Sequence, residues 1–151
     1  MPWFAHLSAG IILWRYFKLD PIPAIIGAVF WPHLFLLDKI INYTIFPHDY
    51  RAHFWHTPIW GLLGFVIFEL IKSGWGLPLL AGHLSHMLLD TLDAAGIMWL
   101  YPFSKKFYGL GLWADYHRSG FTNDFLGYLS DPEAEAVELI MAIIAISGFF
   151  S

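Results

Sequence analysis

His83, His86, Asp90 and Asp93 fall on one stripe of an apolar run that extends from Leu77 to Leu100. At about 100° per helical residue the four side chains occupy an arc of about 80°, with Asp93 outermost. His86 and Asp90 are one turn apart and can address one point. Ionisable groups in an apolar helix cost free energy unless something compensates them. A divalent cation does so, because neutral imidazole nitrogen and carboxylate oxygen are what it binds. A catalytic zinc takes three or more such ligands and keeps a position for water, whose pKa then falls to near 7. Two such ions about 3.5–4 Å apart are typical of phosphate-ester chemistry.

Further donors stand in or at the ends of other apolar runs: His6, Asp38, His53 and His56. The ligand set read from this pattern is His6, Asp38, His56, His86 and Asp90, taken from four segments. Helices of a bundle project ligands inward in this way. His33, His53, His83 and Asp93 are read as supporting or substrate-side residues, and His83 suits a hydrogen bond to a ligand carboxylate. His33 and Asp38 are five positions apart, about 140° on a helix, so they do not form a tight pair. Arg51, Lys105, Lys106 and Arg118 are candidates for contact with an anionic substrate. Plainer readings stand beside these. His6, or one of His53 and His56, would face lipid headgroups; Asp38 would pair with Lys39; His86 and Asp90 would satisfy each other. The basic side chains would snorkel, and the whole set would form a proton or ion path. His48 and His117 sit in polar loops and read as solvated.

The elements that must carry these donors are apolar. The chain has 151 residues, enough for one domain, and is 58% hydrophobic and 13% charged. Average globular chains are about 45–50% apolar and about 25% charged, so the departure points toward lipid. Eight Trp, fourteen Phe and seven Tyr agree, because amphipathic rings favour membrane interfaces. No basic footprint for nucleic acid is visible. The absence of cysteine excludes thiolate metal sites and disulfides. Arg15 and Lys18 follow the first apolar run, which argues against a cleavable signal peptide.

The first apolar segment runs from Trp3 to Phe17, and Asp20-Pro21 and Pro23 break the chain after it. The second runs from Ile22 to Ile41, with Pro32 kinking or dividing it. A polar stretch, 42–51, follows. The third starts near His53 or Thr57-Pro58 and ends near Lys72; Ser73-Gly74-Trp75-Gly76 is a turn. The fourth carries the His/Asp stripe and ends near Trp99. A long aromatic connection covers 101–130. Asp131-Pro132 then supplies an N-cap and a first-turn proline for a last helix reaching about Phe150. The third and fourth segments have the length of a membrane span, about 17–25 residues, and the others are marginal. The expectation is all-α: a membrane-embedded bundle of four to five helices with a long aromatic loop before the last helix. Loop charge would place Lys39, Arg51, Lys105, Lys106 and Arg118 in the cytoplasm.

Several strings resemble a known family. Ala5-His6-Leu7-Ser8-Ala9-Gly10, Phe30-Trp31-Pro32 through Asp38-Lys39, and His53-Phe54-Trp55-His56-Thr57 occur in the order found in the YdjM-like family of inner-membrane-associated metal-dependent hydrolases. Gly82-His83-Leu84-Ser85-His86-Met87-Leu88-Leu89-Asp90 is the closest string, and Gly96 to Leu100 with Tyr101-Pro102-Phe103-Ser104 follows it. The likeness covers about the first 105 residues. His33 stands where that family carries Asp after Pro, and Trp55 replaces a Thr. The same order of donors is distantly similar to zinc-dependent phospholipases C. That similarity implies Asp38, His56, His86 and Asp90 on one zinc, with Asp90 bridging to a second shared with His6. The downstream His, His, Glu set of those enzymes is missing. The resemblance therefore implies a membrane-bound hydrolase of a phosphoester, small or lipid, using one or two divalent ions, zinc by preference. The alternative is a membrane protein that binds or transports metal without hydrolysis. A structural or partner-binding membrane protein with a stabilising metal is a third.

Overall fold

The computed structural model describes residues 3–33, 54–112 and 130–150. Asp38, Arg51 and His53 lie outside them, as do Lys39, His48, His117 and Arg118.

Helix α1, Trp3–Phe17, has the bounds the apolar run predicts. Lys18 at φ 57° turns the chain out of it. Asp20 then caps α2, Pro21–Ile25, by accepting from the Ile22 N–H. The helix continues as a π turn over Ile26–Phe30, closed by Trp31 N–H to the Ile26 carbonyl at 2.8 Å. Pro32 accounts for this widening: it has no N–H to give the carbonyl four residues back, and its ring crowds that carbonyl. The carbonyl so released belongs to Ala28.

A short 3-10 turn, Phe54–His56, leads into α3, Pro58–Ile71, with proline in the first turn as the sequence suggests. The Glu69 carboxylate accepts from Ser73 Oγ, Gly74 N and Gly76 N, closing the turn into α4, Gly76–Asp90. Trp75 Nε1–H donates to Asp20 Oδ2 at 3.0 Å and ties that turn to the start of α2. The last helix, α5, is Pro132–Ser147. Asp131 Oδ1 accepts from the N–H groups of Glu133 and Ala134, both at 3.2 Å. Replacing Asp131 with alanine is expected to cost about 1 kcal/mol, read as a lower melting temperature in detergent; an unchanged melt would show that the cap carries no stability.

The centre of the bundle is α4, which packs against α1, α2 with its π turn, and α3; α5 lies against α1. Two glycines set the crossing of α2 and α4. A Cβ on Gly27 would overlap the Leu79 carbonyl, and one on Gly82 would overlap the Ala24 carbonyl. Backbones approach that closely only where side chains are missing. Trp31 and Trp60 stack at 4.8 Å, and each indole N–H donates to the other's carbonyl at 3.1 Å, fixing the end of the π turn on α3. At the far end Arg15 Nε donates to the Gly148 carbonyl and Tyr16 bonds Ser147, which holds the end of α5 on α1.

The fold is all-α among the described residues, with one isolated bridge, Ile97 to Tyr108. Two expectations need correction. The third and fourth segments do not make membrane-length helices. They form helices of 14 and 15 residues, the longer about 22 Å at 1.5 Å per residue, short of the roughly 30 Å hydrocarbon core. No described helix is long and apolar enough to cross a membrane. Second, the fourth helix stops at Asp90, nine residues before Trp99. Asp93 Oδ1 accepts from Ala95 N and Gly96 N, and Gly96 takes φ 67°. The chain then folds back, with Leu110 N on the Thr91 carbonyl and Leu112 N on the Leu92 carbonyl. The outward faces of α3 and α5 are nonetheless apolar: Leu62, Val66, Leu70, Leu139, Ile143 and Ile146 are exposed.

Candidate metal centre

Four elements deliver histidine or aspartate tips to two adjoining groups that share His86. His6 comes from α1, His33 from the turn after the π segment, His56 from the 3-10 turn, and His86 and Asp90 from α4. Two groups of three have ligand atoms all within 4.8 Å of one another: His6, His86 and Asp90; and His33, His56 and His86. His56 and His86 have no exposed surface, and His6 and Asp90 are 2% and 3% exposed.

His86 sits where both groups meet. Its Nδ1 is 2.8 Å from the Ala28 carbonyl. A carbonyl only accepts, so Nδ1 carries the proton, and in the neutral ring Nε2 is left with a lone pair. That lone pair forms no hydrogen bond in the protein and faces Asp90 Oδ2 at 3.3 Å. His6 stacks on His86 with centroids 3.8 Å apart and brings Nε2 to 3.4 Å from Asp90 Oδ1. Burial first, and then the neighbouring His86, push the His6 imidazole from 6.5 down to about 3. His6 is therefore a neutral donor across the physiological range. Acceptors that face each other at such distances need a proton or a cation between them.

The second group is formed by ring contacts. His33 lies 4.9 Å from His86 and 5.3 Å from His56, and His56 lies 5.5 Å from His86. Burial, with His86 and His6 nearby, holds His33 well below the usual imidazole value. His83 stands one turn before this cluster and donates from Nε2 to the Thr57 carbonyl at 2.9 Å. It thereby fixes the backbone next to His56. Burial lowers its pKa from 6.5 to about 4 against the opposing pull of that carbonyl.

The depressed imidazoles predict acid sensitivity. In the unfolded chain these groups take up protons near 6.5; folded, His6 and His83 resist until about 3 and 4. The unfolded state thus binds more protons between those limits, and stability falls as pH falls through that window. Chelator-treated protein is expected to melt at progressively lower temperature from pH 7 to pH 4.5. A melt independent of pH across that range would contradict the buried neutral rings.

Of the ligands read from sequence, His6, His86 and Asp90 fall in one group, and His56 meets His86 in the other. Asp38 lies outside the described residues, as do His53 and Arg51. His33 joins the donors themselves, although the sequence placed it among supporting residues. His83 contacts a backbone carbonyl where a carboxylate was expected. Asp93 leaves the stripe: it lies beyond the end of α4, and Oδ1 organises a turn. Lys105 and Lys106 are exposed, and Lys106 lies over the Tyr108 ring at 5.4 Å. The Ala28 carbonyl was missed. Its signal was Pro32, four residues on, which leaves a helix carbonyl to be satisfied from elsewhere.

The fold and this cluster define a helical protein with a buried His/Asp centre suited to a divalent cation. The chain belongs to the YdjM inner membrane protein family, whose profile matches residues 1–151. Membrane association follows from that membership. Searches of curated proteins and of solved structures found no match, and the likeness to zinc-dependent phospholipases C finds no support there.

Proposed function

We propose that this protein is a membrane-associated, metal-dependent hydrolase of a phosphoester, with a divalent cation of zinc type held by His6, His86 and Asp90. The observation that carries this reading is the meeting of His6 Nε2, His86 Nε2 and the Asp90 carboxylate in the buried interior. Two neutral imidazoles and one carboxylate are the donor set that catalytic zinc takes. A bound ion of this kind supplies Lewis-acid polarisation of an ester oxygen and activation of water. The residues do the rest. The Ala28 carbonyl sets the tautomer and the aim of His86, a common support for a ligating imidazole. His83 holds Thr57, and with it the approach of His56. The apolar outer faces of α3 and α5 seat the protein against lipid, so a phosphoester at the membrane is the substrate class.

Burial of the donors favours a second reading, metal binding or transport without turnover, because a phosphoester must reach the ion. One experiment separates the two. Detergent-purified protein is assayed on a soluble phosphodiester and on phospholipid vesicles, with and without chelator, and its metal is quantified. Chelator-sensitive turnover restored by zinc is expected. Bound metal without turnover of either substrate would favour the binding protein, and absence of metal under every divalent ion tried would remove both readings.

A further inference from the structure

We infer that the apolar groove lined by Ile59, Trp60, Leu63 and Tyr101 holds a hydrocarbon chain of a lipid phosphoester whose head group meets the metal centre. The inference rests on the hydrolase reading and narrows its substrate to a lipid.

Both walls of the groove are tied to elements that carry donors. On one side, Thr57 joins His56 to α3, and the first two turns of that helix present Ile59, Trp60 and Leu63. Leu63 lies five residues beyond Pro58, about 7.5 Å along the helix. On the other side, Tyr101 belongs to the segment that follows α4. Trp99 Nε1–H donates to Thr91 Oγ1 at 2.8 Å, and Thr91 is the residue after Asp90. Tyr101 N–H donates to the Met98 carbonyl at 3.3 Å. Trp60 is the buried member of the lining, and its ring stacks on Trp31, two residues before His33.

Size and chemistry choose the occupant. The cavity measures about 370 Å³, within the range of about 300–1,000 Å³ of ligand sites. Among the described residues its lining carries no charge, so the groove has nothing to grip a phosphate. What such walls favour is burial of methylenes, each worth about fourfold in affinity. The groove also opens onto the exposed face of α3, where Leu62, Val66 and Leu70 lie. In a member of an inner membrane protein family, an apolar face of this kind meets acyl chains. A chain can pass along α3 from the bilayer into the groove without crossing water, with its polar end toward His56. This route brings an ester to buried donors from the lipid side.

The test uses full-length protein in maltoside micelles, which contain no phosphate. The protein is irradiated with rising mole fractions of a phosphatidylglycerol that carries a diazirine in its acyl chain, and labelled peptides are mapped by mass spectrometry. Labelling at Ile59, Leu63 and Tyr101 is expected to saturate. At a fixed amount of photolipid it is expected to fall at least tenfold under excess unlabelled phosphatidylglycerol. Labelling at Leu70, on the same helix but outside the groove, is expected to rise in proportion and to resist competition. Proportional labelling at all four positions, or none in the groove, overturns the inference. Leu63→Trp fills the groove from an exposed position. It is expected to lower labelling at Ile59 and Tyr101 at least tenfold with an unchanged circular dichroism spectrum; undiminished labelling also overturns the inference. The wild-type saturation curve does not depend on that variant folding. Saturable labelling without hydrolysis of the photolipid in the presence of zinc keeps the groove as a lipid site and overturns the hydrolase reading. Hydrolysis with proportional labelling does the reverse.

Discussion

His86→Ala is expected to lose zinc affinity by more than about 100-fold and to bring phosphoester turnover to background. Residues that merely support a metal ligand already account for about 10–100-fold in affinity or activity when they are changed. His86 belongs to both donor groups, so under the proposed function its loss exceeds that range. The substitution also strands the Ala28 carbonyl, whose side-chain donor is His86 Nδ1; a buried polar group left without its partner costs about 1–3 kcal/mol. Two measurements check this: zinc affinity by competition with a chromophoric chelator, and helix content by circular dichroism. Helix content near that of the wild type with zinc binding lost is the expected pair of results. Zinc bound by the variant with wild-type affinity would show that the ion lies elsewhere.

Gly82→Ala is expected to destabilise the protein by about 1–3 kcal/mol or more, and to weaken zinc binding although residue 82 touches no ion. A Cβ there would overlap the Ala24 carbonyl and approach Ala28 N to 2.7 Å. These are backbone atoms of a packed helix and cannot swing aside. The helix that must yield is the one whose Ala28 carbonyl orients His86, so the strain reaches the site. Leu88→Ala on the outward side of the same helix is the control. Leu88 is 59% exposed, and such substitutions usually stay within about 0.5 kcal/mol. The readout is the melting temperature in detergent with and without zinc. Equal melts for the two variants would refute the close crossing as the source of the effect.

The two effects differ in kind. In the proposed reading His86 acts in part through the ion, so chelator removes that part of the difference and leaves the cost of the stranded Ala28 carbonyl. Gly82 acts through the crossing of α2 and α4, so its deficit persists when the metal is stripped.

Much of this architecture was written in local chemistry. The apolar run from Trp3 to Phe17 is α1, Pro58 opens α3, and Asp131-Pro132 opens α5 with the cap its side chain predicts. The spacing of His86 and Asp90 placed both tips at one point because four residues make about one helical turn. Each of these features depends on neighbours in sequence, and period and propensity report on neighbours.

The rest depended on distant backbone. Continuity of the apolar pattern suggested a helix to Trp99, but Asp93 and Gly96 made a turn and the chain came back along the end of α4. Periodicity registers which side chains are apolar and is blind to a carboxylate that prefers two N–H groups to a helix. Asp93 shared a stripe with His86 on paper and left it in space for that reason. His33 read as peripheral because it is five residues from Asp38; what brings it to His86 and His56 is the Trp31–Trp60 lock, between residues 29 apart. The sequence by itself determined that this chain carries many histidine and aspartate donors in apolar segments, His6, His56, His86 and Asp90 among them. Only the tertiary structure decided that they meet, since a ligand set is a statement about distances between helices, and those distances are set by glycine crossings and indole hydrogen bonds that no single segment contains.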